Sequence, residues 1–188
     1  MINQIITLKK DFAELRPLHK SDKGALLAIA TDPEIWRFTP SRIHNEAELD
    51  QYLDNAFQMF EKNLRYPFVI RDLRTGAVAG STSFGNYSAK DQRIEIGWTW
   101  LGRNFQGSGL NKLCKFLLLQ YAFEELNCLR VELKTDFLNL QSRKAMRNIG
   151  FKEEGVLRSH TAMHDGRRRD TIYYSMLADE WEVVKEVL

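Results

Sequence analysis

The sequence predicts a single α/β (α+β) domain with one mixed, mostly antiparallel sheet and helices on both of its faces. Segments that alternate between apolar and polar residues follow one another through short turns, as the strands of antiparallel hairpins do. A long apolar helix near the middle of the chain separates two further strands, and a helical crossover of this kind joins parallel strands. The chain has 188 residues and no repeat or linker, so one domain over residues 1–188 is expected.

Composition and charge exclude several classes of protein. Hydrophobic residues make up 44% and charged residues 28%, which is typical of a water-soluble globular protein. The net charge is only +2, so neither nucleic acid nor a membrane is an expected partner. The densest basic run, Arg167 to Arg169, is interpreted as a solvated hairpin end. Cys114 and Cys128 are expected to be buried and unpaired, and residues 1–7 lack the pattern of a signal peptide, so a cytoplasmic location is expected.

Individual elements are predicted from apolar periodicity and from capping and turn residues. Ser21-Asp22 and Asn45 are candidate helix N-caps, and Leu73 to Gly76 is a candidate hairpin turn. Residues 5–18 are predicted to form extended segments, the second of which Pro17 closes. The further predicted strands cover residues 67–72, 77–84, 94–101, 129–135, 151–160 and 170–176. The predicted helices cover residues 21–31, 45–63, 110–126, 139–148 and 180–188.

The stretch from residue 94 to residue 126 predicts a strand, a glycine-bearing loop and a helix that is buried on more than one side. Alternation places the strand side chains in two sets on opposite faces: Ile94, Ile96, Trp98 and Trp100 in one, and Glu95, Gly97 and Thr99 in the other. Gly107 and Gly109 allow a tight turn and the close approach of an anion to the backbone. The first amides of the helix have no intrahelical acceptor and lie at the positive end of its dipole. A phosphate site is one interpretation, and a turn without a ligand is the other.

Several stretches spread along the chain together resemble one protein family. They are Leu15-Arg16-Pro17-Leu18, Glu95-Ile96-Gly97-Trp98, Gln106-Gly107-Ser108-Gly109, Asn139-Leu140-Gln141-Ser142, Ile149 to Gly155 with Arg158 after it, and Asp165-Gly166 followed by Asp170. Each motif is modest alone, but their order and spacing resemble those of the GCN5-related N-acetyltransferase (GNAT) family. The resemblance is to its RimJ/RimL-type branch, which acetylates protein N-termini, and it covers nearly the whole chain.

The resemblance implies acetyl-coenzyme A as the acetyl donor and an amine as the acceptor, which attacks directly within a ternary complex. It also implies a sheet that splays between the fourth and fifth strands, around residues 98–101 and 129–133, with pantetheine in the gap. The coenzyme-binding residues that it implies are Trp100, Leu101, Asn104, Gln106, Gly107, Ser108, Gly109, Leu110, Asn111, Asn139 and Arg143.

One position departs from the family's loop pattern, which is (Gln/Arg)-x-x-Gly-x-(Gly/Ala). The first position of the pattern is Asn104 here, and Arg103 and Gln106 flank it. Backbone amides from Gln106 to Asn111 are still expected to hold a pyrophosphate, because that task needs N–H groups rather than one particular side chain. Basic side chains that could add charge near the phosphates are Lys112, Lys115, Arg143, Lys144 and Arg147.

A protonated amine is not a nucleophile, so the site needs a base for the amine and an acid for the leaving thiolate. Glu95 is the predicted base, acting directly or through water, and the other interpretation is a strand-edge charge paired with Arg93 or Arg130. Many relatives have a tyrosine acid at the position of Met146, which cannot donate a proton. Ser142 is the remaining candidate, by resemblance to RimL-type enzymes, and water is the alternative.

The acceptor side carries fewer signals. Trp36 and His160 are predicted to contact the acceptor, and loops at 31–45 and 160–170 are expected to decide which amine binds. The four histidines show no metal-ligand spacing, so no metal is expected. Related enzymes are often dimers, and the C-terminal stretch from Trp181 to Val184 is a candidate homodimer interface.

Three functions remain open from the sequence. Acetylation of a protein or peptide α-amine is the leading hypothesis, and acetylation of a small amine, such as a polyamine, an amino acid or an aminoglycoside, is the second. The acidic residues that could meet a polycationic acceptor are Asp32, Glu34, Glu46 and Glu48. A non-catalytic coenzyme A-binding module is the third hypothesis, which Met146 favours and which Glu95 and Ser142 oppose.

Overall fold

A computed structural model describes residues 4–187, and its strands form one open, mixed sheet. The strands are β1 (Leu8–Lys10), β2 (Ala13–Pro17), β3 (Arg65–Asp72), β4 (Ala77–Ser88), β5 (Arg93–Leu101), β6 (Arg130–Asp136), β7 (Lys152–Ala162) and β8 (Arg168–Leu177). They lie across the sheet in the order β1-β2-β3-β4-β5-β6-β8-β7. The α-helices are α1 (Lys23–Ala30), α2 (Glu46–Glu61), α3 (Leu110–Gln120), α4 (Leu140–Asn148) and α5 (Ala178–Val184).

Helices cover both faces of this sheet, as the sequence predicts. One face, which we call the α3 face, packs against α3, α4 and α5, and its core includes Leu118, Met146 and Trp181. The opposite face, which we call the α1/α2 face, packs against α1 and α2 with Leu26 and Leu53 in a second core. None of the helices in residues 4–187 is long and apolar enough to cross a membrane.

Within the described residues, β5 and β6 are the one parallel pair of strands, and α3 lies in the crossover between them. Their register pairs are Arg93↔Arg130, Ile94↔Val131 and Glu95↔Glu132, after which the strands diverge. This divergence is the predicted splay. On β6 the splayed part is residues 133–136 rather than 129–133, because parallel strands that pair at their N-terminal ends can separate only at their C-terminal ends.

A β-bulge at Trp98 changes which face the second half of β5 presents. Trp98 has a φ of +50°, and the register with β4 shifts opposite it. Ile94 and Ile96 lie in the core of the α3 face, whereas Trp100 lies in the core of the α1/α2 face. The prediction that the four apolar residues of this strand share one face is therefore wrong, because the bulge inserts one extra residue into the alternation.

Most element boundaries match the predictions to within a few residues, and the differences have local causes. The extended segments predicted within residues 5–18 form β1 and β2, and Asp11 turns the chain between them with a left-handed φ of +49°. Asp22, a predicted N-cap, instead accepts two hydrogen bonds from Arg16 and one from the His19 amide. The last predicted helix forms as α5, and Leu188 lies outside the described residues.

Candidate active site

The divergence of β5 from β6 leaves a gap whose two walls carry backbone groups without a strand partner. β5 remains paired with β4 as far as Leu101, and β6 remains paired with β8 as far as Asp136. Across the gap, however, residues 96–101 and 133–136 do not pair with each other. Their N–H and C=O groups can bind an amide-containing chain that enters the gap, as a sheet edge binds an added strand. Trp100 and Leu101, which are predicted to bind the coenzyme, lie along this wall.

The loop that connects β5 to α3 begins at the end of this wall and is held by short-range hydrogen bonds. Gln106 donates from Nε2 to the Leu101 carbonyl at 3.1 Å, and Ser108 Oγ donates to the Phe105 carbonyl at 2.7 Å. Gly107 and Gly109 have φ values of +70° and +84°, a conformation that residues with a Cβ rarely adopt. The backbone path of the loop therefore requires both glycines.

The start of α3 presents amides that have no hydrogen-bond acceptor in the described part of the chain, and these are the N–H groups of Gly107, Ser108, Gly109 and Asn111. The Gln106 amide, which is predicted to belong to this set, instead donates to the Arg103 carbonyl at 3.1 Å. Asn111 Oδ1 is buried without a partner, and a rotation of this amide by 180° would present its Nδ2 donor instead. Free amides, a helix dipole and a side-chain donor at one place fit a pyrophosphate.

Arg143, which is predicted to bind the coenzyme, is engaged by its own neighbours. Its guanidinium donates to the Phe137 carbonyl at 3.0 Å and to the Tyr174 hydroxyl at 3.3 Å. Asn104, at the position where the family pattern has Gln or Arg, is exposed. Lys112 is also exposed, on the first turn of α3, where its charge is close to the free amides. Contacts to an anion in this loop therefore come mainly from the backbone.

Lys115, one of the basic residues that could add charge near the phosphates, points into the core of the α3 face. It is buried, and Nζ donates to Thr99 Oγ1 at 2.8 Å. Burial lowers the pKa of Lys115 to about 8. The bulge at Trp98 turns Thr99 to this face, so Thr99 and Glu95 lie on opposite faces, contrary to the predicted grouping.

The N-terminus of α4 follows the end of the β6 wall by a few residues. Asn139 Oδ1 accepts a hydrogen bond from the Ser142 amide at 3.0 Å, so Asn139 is an N-cap, as predicted. Ser142 is partly exposed in the first turn of α4, whereas Met146, one turn later, is buried. Of these two positions, only Ser142 can offer a hydroxyl to the gap.

Glu95 is buried at the point where the two strands separate, with 4% of its surface exposed. Its Oε2 accepts hydrogen bonds from Asn86 Nδ2 at 2.8 Å and from Lys134 Nζ at 2.9 Å. Its Oε1 has no hydrogen bond within the described residues. The ion-pair partner is thus Lys134 rather than the predicted Arg93 or Arg130, both of which lie near Glu132. One carboxylate oxygen is held in place, and the other is available.

Trp36, which is predicted to contact the acceptor, is buried. The residue is 2% exposed, its indole packs against Trp100 and Tyr52, and Nε1 donates to the Ala30 carbonyl at 2.7 Å. The Trp36 carbonyl lies 3.2 Å from His164 Nε2. This contact joins the two predicted specificity loops, 31–45 and 160–170.

His160 lies on β7, beside the residues of β8 that face the α1/α2 side. It is exposed, and its Nδ1 is 3.1 Å from Thr171 Oγ1. Its contact with an acceptor stays a prediction. No group of three or more His, Cys, Asp or Glu side chains in residues 4–187 is arranged to hold a metal ion.

The sequence reasoning misses two groups that contact Glu95. Asn86 lies beyond the strand predicted for residues 77–84, but β4 continues to Ser88 and places Asn86 near the start of β5. Lys134 belongs to an alternating series of charged residues along β6, which is Arg130, Glu132, Lys134 and Asp136. That alternation is a sequence signal for a polar sheet face, but it does not say which carboxylate each cation binds.

With this geometry established, comparison with known proteins identifies the fold and its relatives. A family model described as "Acetyltransferase (GNAT) domain" matches residues 13–152. "Putative ribosomal N-acetyltransferase YdaF" of Bacillus subtilis (strain 168) is 36% identical to this chain over 110 residues. That match covers 58% of this chain and 59% of YdaF, so it spans less than two thirds of either protein.

Two solved structures extend the similarity to almost the full length. A GCN5-related N-acetyltransferase from Brucella melitensis has a TM-score of 0.87 and 26% identity, over 96% of this chain and 82% of that one. Mycobacterium smegmatis RimJ, solved in complex with CoA-disulfide, has a TM-score of 0.79 and 22% identity, over 94% of this chain and 88% of RimJ. At this identity, the RimJ comparison concerns the fold alone.

Proposed function

Because the chain belongs to the GNAT family of N-acetyltransferases, we propose that it transfers the acetyl group of acetyl-coenzyme A to the α-amine of a protein or peptide N-terminus. The observation that carries this proposal is the organisation of β5. This one strand forms a wall of the gap, leads into the loop with free amides and holds Glu95 where the strands separate. The donor site and the base are thereby assigned to one continuous stretch of chain.

The donor part of the proposal rests on the α3 face and the gap. Acetyl-coenzyme A supplies an acyl thioester to such a site. The amides from Gly107 to Asn111 suit its pyrophosphate, and the strand edges at 96–101 and 133–136 suit the amides of its pantetheine arm. Asn139 and Ser142 lie at the start of α4, a few residues after the β6 wall ends. The CoA-disulfide bound to RimJ supports a coenzyme A ligand for this fold.

The acceptor's proton goes to Glu95 in this proposal. Its Oε1 has no hydrogen bond in residues 4–187, so it can take a proton from an ammonium group directly or through one water. Asn86 and Lys134 hold Oε2 and thereby orient the carboxylate. Ser142 Oγ or water returns a proton to the leaving sulfur, since Met146 cannot.

A protein acceptor is favoured over a polyamine or an aminoglycoside because the acidic residues that could attract a polycation are already paired. Each of them is already within an ion pair: Asp32 with Arg103, Glu34 with Arg37, Glu46 with Lys23 and Glu48 with Arg42. They therefore form no unpaired acidic patch for several ammonium groups. The name of YdaF, a ribosomal N-acetyltransferase, also supports a protein acceptor.

The remaining parts of the proposal concern the whole chain. We assign residues 1–188 to one N-acetyltransferase domain that works in the cytoplasm without a metal, a nucleic acid or a membrane. A homodimer through the segment around Trp181 belongs to the same proposal. Trp181 itself is 1% exposed within one chain and packs against Phe116 and Phe123, so its indole is not available to that interface.

The test is release of free thiol from acetyl-coenzyme A in the presence of a panel of amines. The panel contains peptides with different N-termini, the same peptides with a blocked α-amine and a free lysine, polyamines and aminoglycosides. The expected result is thiol release with a free α-amine and the mass gain of one acetyl group at that amine. Release only with small amines would overturn the choice of acceptor, and coenzyme binding without any release would leave a binding module.

A further inference from the structure

Arg169 is buried on the sheet face that carries Glu95, and the proposed reaction does not use it. We propose that its guanidinium binds a carboxylate of the acceptor, so that the enzyme prefers amines that carry a carboxylate close to the reacting nitrogen. This inference rests on the function proposed above and narrows its substrate class.

The basic run from Arg167 to Arg169, interpreted from sequence as a solvated hairpin end, contains three arginines in different environments. Arg167 donates to the buried carboxylate of Asp136 at 2.6 Å. Arg168 is exposed and binds the Ser159 carbonyl of the neighbouring strand. Arg169 is only 6% exposed. The sequence interpretation therefore holds for Arg168 alone.

Arg169 is a buried cation that lacks a carboxylate partner. Its Nε donates to Thr171 Oγ1 at 3.0 Å, and the two terminal nitrogens have no hydrogen bond or ion pair in the described part of the chain. Burial lowers the pKa of Arg169, as expected for a cation that is short of a counter-ion. The unused edge of a guanidinium presents parallel N–H donors that match the two oxygens of a carboxylate.

The position of Arg169 in β8 places it on the same sheet face as Glu95. Arg169, Thr171 and Tyr173 alternate with residues of the α3-face core, so they lie on the opposite, α1/α2 face. Lys134 Nζ, which binds Glu95, lies 5.7 Å from the centroid of the Tyr173 ring on this face. The predicted base and the free guanidinium thus lie on the same face of the sheet, with Lys134 and Tyr173 between their strands.

The carboxylates near Glu95 on this face already have cationic partners. Glu95 pairs with Lys134 at 2.9 Å, and Asp136 pairs with Arg167 at 2.6 Å. Arg65 and Arg169 are left without a carboxylate partner among residues 4–187, and of these two only Arg169 has both terminal nitrogens without a hydrogen bond. An acceptor with a negative group would balance the charge of Arg169.

Arg65 shows what a buried arginine without a ligand role looks like in this protein. It is 1% exposed and also has no carboxylate partner among residues 4–187. However, it donates to Ser83 Oγ at 2.8 Å and to the Tyr52 hydroxyl at 2.9 Å, and it stacks 4.9 Å from the centroid of the Trp98 ring. Protein groups accept hydrogen bonds from both ends of the Arg65 guanidinium, whereas Arg169 has such a partner only at Nε.

Two kinds of acceptor carry the required carboxylate. One is a peptide with Asp or Glu next to its N-terminal residue, and the other is a free amino acid, whose α-carboxylate is adjacent to its amine. The chemistry at Arg169 is the same in both, so matched pairs of acceptors distinguish them. The first pair is a peptide with Asp or with Asn at the second position, and the second pair is a free amino acid and its amide.

The experiment compares the two members of each pair by kcat/KM and, with coenzyme A present, by calorimetric binding. In the wild-type enzyme, the carboxylate member of one pair is expected to be favoured by about tenfold or more. Arg169→Gln should bring that ratio to within about twofold of one. Arg169→Lys should keep part of the preference, because it retains the positive charge but not the two parallel N–H donors of the guanidinium. Arg168→Gln, the matched control, should retain the wild-type ratio.

Equal rates and affinities within both pairs in the wild-type enzyme would overturn the inference. A preference that survives in Arg169→Gln would overturn it as well. If no acceptor is acetylated, the proposed function fails, while the binding comparison still decides whether Arg169 recognises the carboxylate.

Discussion

Lys115 and Arg169 are each only 6% exposed, and neither forms an ion pair within residues 4–187, yet they lie on opposite faces of the sheet. Lys115 extends from α3 into the core of its face, where Thr99 Oγ1 is its hydrogen-bond acceptor. Arg169 lies on the α1/α2 face, where its two terminal nitrogens have no hydrogen bond in the described residues. Lys115 is thus enclosed by the core of one face, and Arg169 keeps free donors on the face that carries Glu95.

This difference between the two cations indicates how each face of the sheet can bind a ligand. On the α3 face, the candidate contacts are backbone amides at the start of α3, which do not depend on the identity of one side chain, so Asn104 is compatible with coenzyme binding. On the α1/α2 face, the candidate contacts are the side chains of Glu95, Lys134 and Arg169. Substitutions on the first face should therefore affect stability or coenzyme affinity, and those on the second should affect turnover or acceptor choice.

The largest effect is expected for Glu95→Gln. A change in coenzyme binding instead of turnover would contradict the division of roles between the two faces. The substitution removes the proton acceptor but keeps the size of the side chain, so kcat should fall by about a hundredfold or more. Acetyl-coenzyme A affinity should change by less than about twofold. Thiol-release kinetics and calorimetry measure the two quantities.

Glu132→Gln is the matched control for Glu95→Gln. Glu132 is the register partner of Glu95 across the parallel pair, but it forms its ion pair with Arg130 at 2.8 Å, before the strands separate. Its kcat should stay within about twofold of the wild-type value. An unchanged kcat in Glu95→Gln would remove Glu95 as the base.

The second-largest effect is expected for Lys115→Met, which tests whether the buried charge of Lys115 lowers the free energy of unfolding. The pKa of Lys115 is lowered to about 8 from 10.5, so below pH 8 the folded protein contains a buried charge that the unfolded chain exposes to water. Methionine of similar length should raise the free energy of unfolding by about 1 to 3 kcal/mol at pH 7. Urea unfolding measures this difference.

The pH dependence distinguishes this cause from better packing. As pH rises from 8 towards 10.5, folded Lys115 becomes neutral while the unfolded chain stays protonated, so wild-type stability rises relative to Lys115→Met. The advantage of methionine should therefore shrink between pH 7 and pH 9.5. Lys112→Met, on the exposed side of the same helix, should show neither effect. An advantage that is independent of pH would contradict the assigned cause.

The smallest effect is expected for Gly109→Ala, which tests the proposal that backbone amides of this loop bind the coenzyme. An alanine Cβ would have room in the protein, with Phe12 Cζ at 3.7 Å, but the φ of +84° would be strained. Relaxing that strain moves the amides, so acetyl-coenzyme A affinity should fall by about fivefold to tenfold. Gly76→Ala, at a φ of +71° in the β3–β4 turn, should lose similar stability without losing affinity. Equal affinity in both variants would mean that the loop does not bind the coenzyme.

Local patterns predicted most of the fold and the coenzyme side of the candidate site. Alternation, capping residues and glycines depend on neighbours within a few positions, so the strand, loop and helix from residue 94 onwards and the N-cap at Asn139 were recognisable. Cys114 and Cys128 are buried as predicted, and burial raises the pKa of these thiols to about 12 and about 11.

The acceptor side could not be predicted to the same depth. Nothing within residues 93–101 marks the bulge at Trp98, which depends on the pairing of β5 with β4. The partners of Glu95 come from Asn86 and Lys134, on two other strands, and the run of arginines gave no sign that one of the three would be buried. Ion-pair choice among several nearby charges depends on distances that only the assembled sheet defines.

The sequence by itself determined the family, the order of elements, the free start of α3 and the carboxylate at position 95, because these follow from residue type and local spacing. Tertiary structure alone decided where β5 and β6 separate, which face each half of β5 presents and which cations meet Glu95 and Asp136. Those features require strands distant in sequence to pack side by side, and the packed strands also decide that Arg169 is buried without a carboxylate partner.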